Sequence, residues 1–135
     1  MDAQAYLSRA YRLDRAIRVK HEQLDRLIAQ ATRSTSAVNA MKAGGAPVSS
    51  KFEKAADAYI DLQNELGAQI VEYHSTYREI EAAISGIGDE RLSELLRYRY
   101  LCFMKWEQIA DKMGYGLRWI MRVHATALKA IESHV

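Results

Sequence analysis

Between residues 52 and 87 one large apolar side chain returns at every seventh position: Phe52, Tyr59, Leu66, Tyr73, Ile80 and Ile87. Ala56, Ile70, Tyr77 and Ile84 follow members of that series by four residues, with Gln63 the exception, and Ala55 and Leu62 add a shoulder. Strand faces alternate every second residue, so this spacing specifies a helix with one broad apolar side. About 35 residues of helix span roughly 50 Å, and so long a stripe needs a facing helix. That helix comes from this chain or from another subunit. Ser49 or Ser50 is placed to cap the start, with Glu53 three residues beyond Ser50 completing a capping box. Tyr59, Tyr73 and Tyr77 read as a structural seam with hydroxyls at its rim.

The first segment carries a helical pattern of its own. Leu7, Ala10, Leu13 or Asp14, Ile17, Leu24, Leu27 or Ile28, and Ala31 follow steps of three and four, interrupted at Lys20 and His21, which predicts a helix from about Ala3 to Thr32. Its opposite side carries Arg12, Arg15, Arg18, Glu22 and Arg26. Residues 33–50 then turn small and polar, with Gly44, Gly45 and the single proline, Pro47, and are expected to form a loop. Gly44-Gly45 is not followed by the lysine and threonine of a phosphate-binding loop. One proline and seven glycines in 135 residues disfavour a loop-rich all-β chain and favour an all-α one.

Charge is unevenly spread. Residues 1–88 hold eleven basic and eleven acidic side chains, whereas residues 97–129 hold seven basic against Glu107 and Asp111. The positive excess therefore gathers near the C-terminus, the expected footprint of a polyanion-binding module. Cys102 stands alone, which excludes an intrachain disulfide; its apolar neighbours predict a buried thiol in a reducing compartment. No apolar run approaches the roughly 20 residues of a membrane span, and the opening residues lack the pattern of a secretory signal. A cytoplasmic protein without a membrane partner is expected.

Gly86-Ile87-Gly88-Asp89 breaks the long helix and marks a boundary between a long-helix region, 1–86, for oligomerisation or partner binding, and a module at 87–135. Asp89 is placed to cap a helix from Glu90 to about Tyr100, followed by helices at Trp106 to Met113 and Leu117 to His134. Between the last two, Ala110 suits a close helix crossing and Gly114, four residues on, suits a turn with a positive backbone angle. Those features specify a helix-turn-helix, with Ile109 and Met113 packing on Ile120 and Val123. The second helix of such a motif presents its first turns to base edges in the major groove. Leu117, Arg118, Met121 and Arg122 are the base-contact candidates, with Ala125 further along. Arg97, Arg99, Lys105, Lys112 and His124 are candidates for phosphate contact.

The stretch Leu95 to Glu132, LLRYRYLCFMKWEQIADKMGYGLRWIMRVHATALKAIE, resembles region 4 of bacterial sigma factors and the related sigma-like helix-turn-helix regulators. It is similar in particular to small regulators of phages and prophages of low-GC Gram-positive bacteria. The resemblance covers about 40 residues and implies promoter DNA binding, with RNA polymerase as a further partner. It places Gly116 at the start of the recognition helix, where relatives often carry a capping Ser. Leu117 and Met121 make the outward face less polar than in a typical sigma factor.

His21, His74, His124 and His134 are dispersed, and neither HExxH nor an acidic calcium loop occurs. No enzyme, metal or cofactor is expected. The reading is an all-α chain, a long N-terminal helical hairpin or coiled coil followed by a sigma region 4-like helix-turn-helix, that binds double-stranded promoter DNA as a transcriptional regulator and forms homo-oligomers through its N-terminal helices. The alternatives are a polymerase-binding protein without DNA readout and a small terminase-like DNA-packaging protein.

Overall fold

The computed structural model describes residues 2–41 and 50–134, which form six helices and, among the described residues, no strand. These are α1 (Ala3–Leu7), α2 (Arg9–Met41), α3 (Ser50–Ser85), α4 (Glu90–Tyr100), α5 (Trp106–Met113) and α6 (Leu117–His134). They divide into two compact units, one of Met1–Asp14 with Glu72–Val135 and one of Arg15–Val71. No helix among the described residues is long and apolar enough to cross a membrane.

In the first unit, the Asp2 carboxylate accepts a hydrogen bond from the Ala5 N–H at 2.7 Å and starts α1. The sequence predicts one helix from Ala3, but Ser8 interrupts it. Its hydroxyl donates to the Gln4 carbonyl at 2.6 Å beside its own N–H at 2.9 Å, so one carbonyl accepts two bonds at the junction. The expected loop at 33–50 also differs, because α2 continues to Met41. No glycine or proline occurs before Gly44, and Ser, Thr, Ala and Asn are tolerated once earlier turns have nucleated a helix. The rest of that loop, with Gly44-Gly45 and Pro47, and the capping side chains of Ser49 and Ser50 lie outside the described residues.

Past Ser85 the chain turns through Gly88, whose φ of 71° lies in the left-handed region. Asp89 then accepts from the N–H groups of Arg91 at 3.0 Å and Leu92 at 3.2 Å, satisfying two donors at the start of α4. The buried Ser93 hydroxyl donates back to the Ile84 carbonyl at 3.1 Å, and Arg97 bonds Glu81 at 2.9 Å and Ser85 at 3.0 Å. These contacts fold α4 against the end of α3.

The core of this unit is built on Leu7, Ile80, Ile84, Leu95, Leu96, Ile109, Ile120 and Ile131, none with more than a trace of exposed surface. Each such Leu or Ile contributes about 1.5–3 kcal/mol on burial. α6 packs on α4, α5 and α1, so the first helix closes the same core as the last, with Ala3, Leu7 and Ala10 in one cluster with Ala127 and Ile131. Cys102 is exposed, contrary to the expected buried thiol. The chain leaves α4 at this point, Phe103 takes a φ of 58°, and Leu101 occupies the interior instead.

In the second unit, α2 and α3 run antiparallel, held at one level by Lys20 donating to Glu65 at 2.8 Å. The Gln63 amide, the exception in the apolar stripe, donates to the Tyr59 hydroxyl at 2.9 Å. Leu24 and Leu66 are buried, while Ile28, Phe52, Ile60, Ile70 and Val71 remain exposed. Two helices have too little facing surface to cover a stripe this broad.

Candidate functional site

The site is assembled from α5, the turn Gly114-Tyr115-Gly116 and the first turns of α6. Gln108 accepts a hydrogen bond from the Lys105 N–H at 3.1 Å and so fixes the entry to α5. At its other end Gly114 adopts φ 72° and ψ 30°, and its N–H and that of Tyr115 both donate to the Ala110 carbonyl, at 2.9 and 3.1 Å. This left-handed glycine stop ends α5 and redirects the chain into α6 within three residues. Ala110, only 7% exposed, sits where a larger side chain would hold the helices apart.

α6 is two-sided. Ile120, Val123, Ala127 and Ile131 are buried and anchor it, whereas Leu117, Arg118, Met121, Arg122 and Ala125 are exposed. Positions 118, 121, 122 and 125 follow the i, i+3, i+4, i+7 spacing of one helix face. All four base-contact candidates thus reach solvent together, in the first two turns, and the anchoring residues hold that face at a fixed angle. No ion pair among the described residues engages Arg118 or Arg122.

The five phosphate-contact candidates divide. Lys105 and Lys112 are exposed at the two ends of α5. Arg97 is tied to Glu81 and Ser85, and Arg99 donates to the Met104 carbonyl at 2.9 Å with its guanidinium 4.4 Å from the Trp106 ring centre. Both arginines brace the unit internally. His124 is turned inward: it shares a 2.6 Å hydrogen bond with the Tyr100 hydroxyl and lies edge-on to Trp106, ring centres 4.6 Å apart. Burial, reinforced by the nearby Arg99 charge, lowers its pKa to about 4, so the imidazole is neutral at physiological pH. Burial likewise pushes the Tyr100 phenol up to about 12.

Neither Trp119 nor Arg91 is among the residues that the sequence pattern singles out. The fold brings them together on the flank of α6, with the Arg91 guanidinium 6.0 Å from the Trp119 ring, and Tyr115 beside the same indole. Residues 28 positions apart carry no shared periodicity, so only the packing of α4 on α6 could reveal this pair. Tyr115, Leu117, Trp119 and Met121 are each about two-fifths exposed, a dense run of solvent-facing large side chains. Among the described residues no group of three or more His, Cys, Asp or Glu side chains is arranged to hold a metal ion.

Compared with known proteins, the chain matches no family model, no curated protein and no solved structure.

Proposed function

We propose that α5, its glycine turn and α6 form a helix-turn-helix that binds double-stranded DNA and regulates transcription. The observation that carries this reading is the solvent-facing set Leu117, Arg118, Met121 and Arg122, presented at the start of a helix anchored by its opposite face. Arg118 and Arg122 carry paired donors suited to guanine O6 and N7, while Met121 and Leu117 suit a thymine methyl. Lys105 and Lys112 supply phosphate contacts that orient the unit without reading sequence. The resemblance of Leu95 to Glu132 to sigma region 4 supports promoter DNA as the target. Self-association through the N-terminal helices pairs two such heads and raises affinity through effective concentration.

Selection from a randomised pool of short duplexes tests this directly. The native chain enriches a defined motif, and alanine at Arg118 and Arg122 abolishes the enrichment. Recovery of an unbiased pool by both proteins refutes sequence-specific recognition.

The exposed run Tyr115, Leu117, Trp119 and Met121 favours a second reading, in which the same surface meets a protein, RNA polymerase by the resemblance. Co-purification with polymerase that is lost with Trp119→Ala, from a protein that leaves duplexes unbound, would select it.

A further inference from the structure

The flank of α6 beside α4 carries an aromatic and basic cluster that the base-reading face does not use. Trp119 is 42% exposed, although an indole is large, apolar and usually well covered. Tyr115 lies against it with ring centres 6.5 Å apart, and the Arg91 guanidinium stands 6.0 Å from the same ring. That distance is the outer limit of a cation–π contact, so the guanidinium is placed beside the indole while its N–H donors stay free. Arg91 is exposed, and among the described residues it forms no ion pair and no side-chain hydrogen bond. Three acidic residues stand near it on α4. Asp89 is occupied by the N–H groups of Arg91 and Leu92, while Glu90 and Glu94 are exposed and form no ion pair with it.

The dimensions of duplex DNA identify what meets this flank. A helix with its side chains is about 10–12 Å across, and the major groove is about 12 Å wide. A helix seated there has its outward face on the base edges and its flanks against the two sugar-phosphate walls. Trp119 adjoins Arg118 in the chain and lies about 60° around α6 from Arg122. When both arginines reach base edges, the indole is therefore carried onto one wall. Its flat apolar ring suits a deoxyribose, and the guanidinium held beside it from α4 suits the phosphate next along that strand. Charge agrees with a polyanion, because α6 carries Arg118, Arg122 and Lys129 before its first acidic residue, Glu132.

We infer that Arg91 and Trp119 together anchor one sugar-phosphate wall of the groove that α6 enters, the indole on a deoxyribose and the guanidinium on the adjoining phosphate. The inference rests on the proposed duplex binding and adds to it a contact, supplied by α4, that carries no sequence information.

Fluorescence anisotropy of short labelled duplexes across a salt series, using the full chain, tests it. Affinity should fall with rising salt along a line whose double-logarithmic slope counts the phosphates neutralised. Arg91→Ala should reduce that slope by about one unit and weaken the selected and the scrambled duplex alike, leaving their ratio unchanged. Arg91→Lys keeps the charge and should restore the slope. Trp119→Ala should weaken both duplexes about tenfold at unchanged slope, because the exposed two-fifths of the indole, about 60–100 Å², no longer leaves water on binding. Arg26→Ala removes the same charge from an exposed position on α2 and should alter neither slope nor ratio. Circular dichroism should show every variant melting with the native chain. A slope unmoved by Arg91→Ala, or moved equally by Arg26→Ala, overturns the anchor and leaves base recognition by α6 in place. A native chain that binds no duplex overturns both.

Discussion

Acidification should loosen the unit containing α4–α6 through one residue, His124. Its ring is enclosed by Tyr100 and Trp106, with the Arg99 guanidinium close by, and its pKa is lowered from 6.5 to about 4. In the unfolded chain the imidazole returns to its ordinary value. Between those two values the unfolded chain binds a proton that the folded chain refuses, so stability is intact at neutral pH and falls as pH drops from about 6.5 towards 4. A shift of this size corresponds to at most about 3 kcal/mol, and the partial exposure of the ring reduces the expected loss to about 2 kcal/mol. Urea denaturation at pH 7 and pH 4.5 measures it, with His124→Phe as the reference for all other titrating groups. The native protein should lose about 1–2 kcal/mol more than the variant over that interval. Proton NMR of the ring checks the cause, since His124 should titrate with a midpoint near 4. Equal pH dependence of the two proteins, or a His124 midpoint near 6.5, refutes the reasoning.

Other perturbations separate scaffold from surface. Gly114→Ala forces a side chain into the left-handed region with open space around it, so the cost is backbone strain of about 1–2 kcal/mol, read as a lowered Tm. Gly116→Ser adds a capping hydroxyl before α6, where the new Cβ meets nothing within 4 Å, and should stabilise by a few tenths of a kcal/mol in urea titration. Leu96→Ala, at a fully buried position, should cost about 2–5 kcal/mol in the same assay and weaken binding to every duplex alike. Arg118→Ala and Arg122→Ala should leave stability within about 0.5 kcal/mol, yet each reduce discrimination between good and poor duplexes by about 1–3 kcal/mol in competition binding.

Much of the C-terminal architecture was legible because its signals are local. Asp89 before an apolar series, glycines at 114 and 116, and the period of Ile120, Val123, Ala127 and Ile131 each specify a boundary or a face from neighbouring residues alone. The exposure of Leu117, Arg118, Met121 and Arg122 follows from the same period, since burying one side of α6 leaves the other to solvent. What escaped depends on contacts distant in sequence. Nothing in Ala3, Leu7 and Ala10 announces that they pack with α6 rather than only along the N-terminal helices. His124 occupies a helix position that a contact with phosphate would also require, and only its approach to Tyr100 and Trp106 turns it inward. Arg97 and Arg99 read as surface charge until Glu81, Ser85 and the Met104 carbonyl are found beside them. Residues 33–41 misled for a different reason: small polar side chains weaken a helix without stopping one already begun.

In the proposed function, the face of α6 carrying Arg118, Met121 and Arg122 enters a groove of duplex DNA. Amide chemical-shift mapping on the full chain, titrated with the duplex that selection enriches, tests it at residue resolution. The largest changes are expected from Leu117 to Arg122, with smaller ones at Lys105 and Lys112, and their loss when the same duplex is scrambled. Unchanged α6 amides in the presence of bound DNA, or changes confined to another surface, would contradict it.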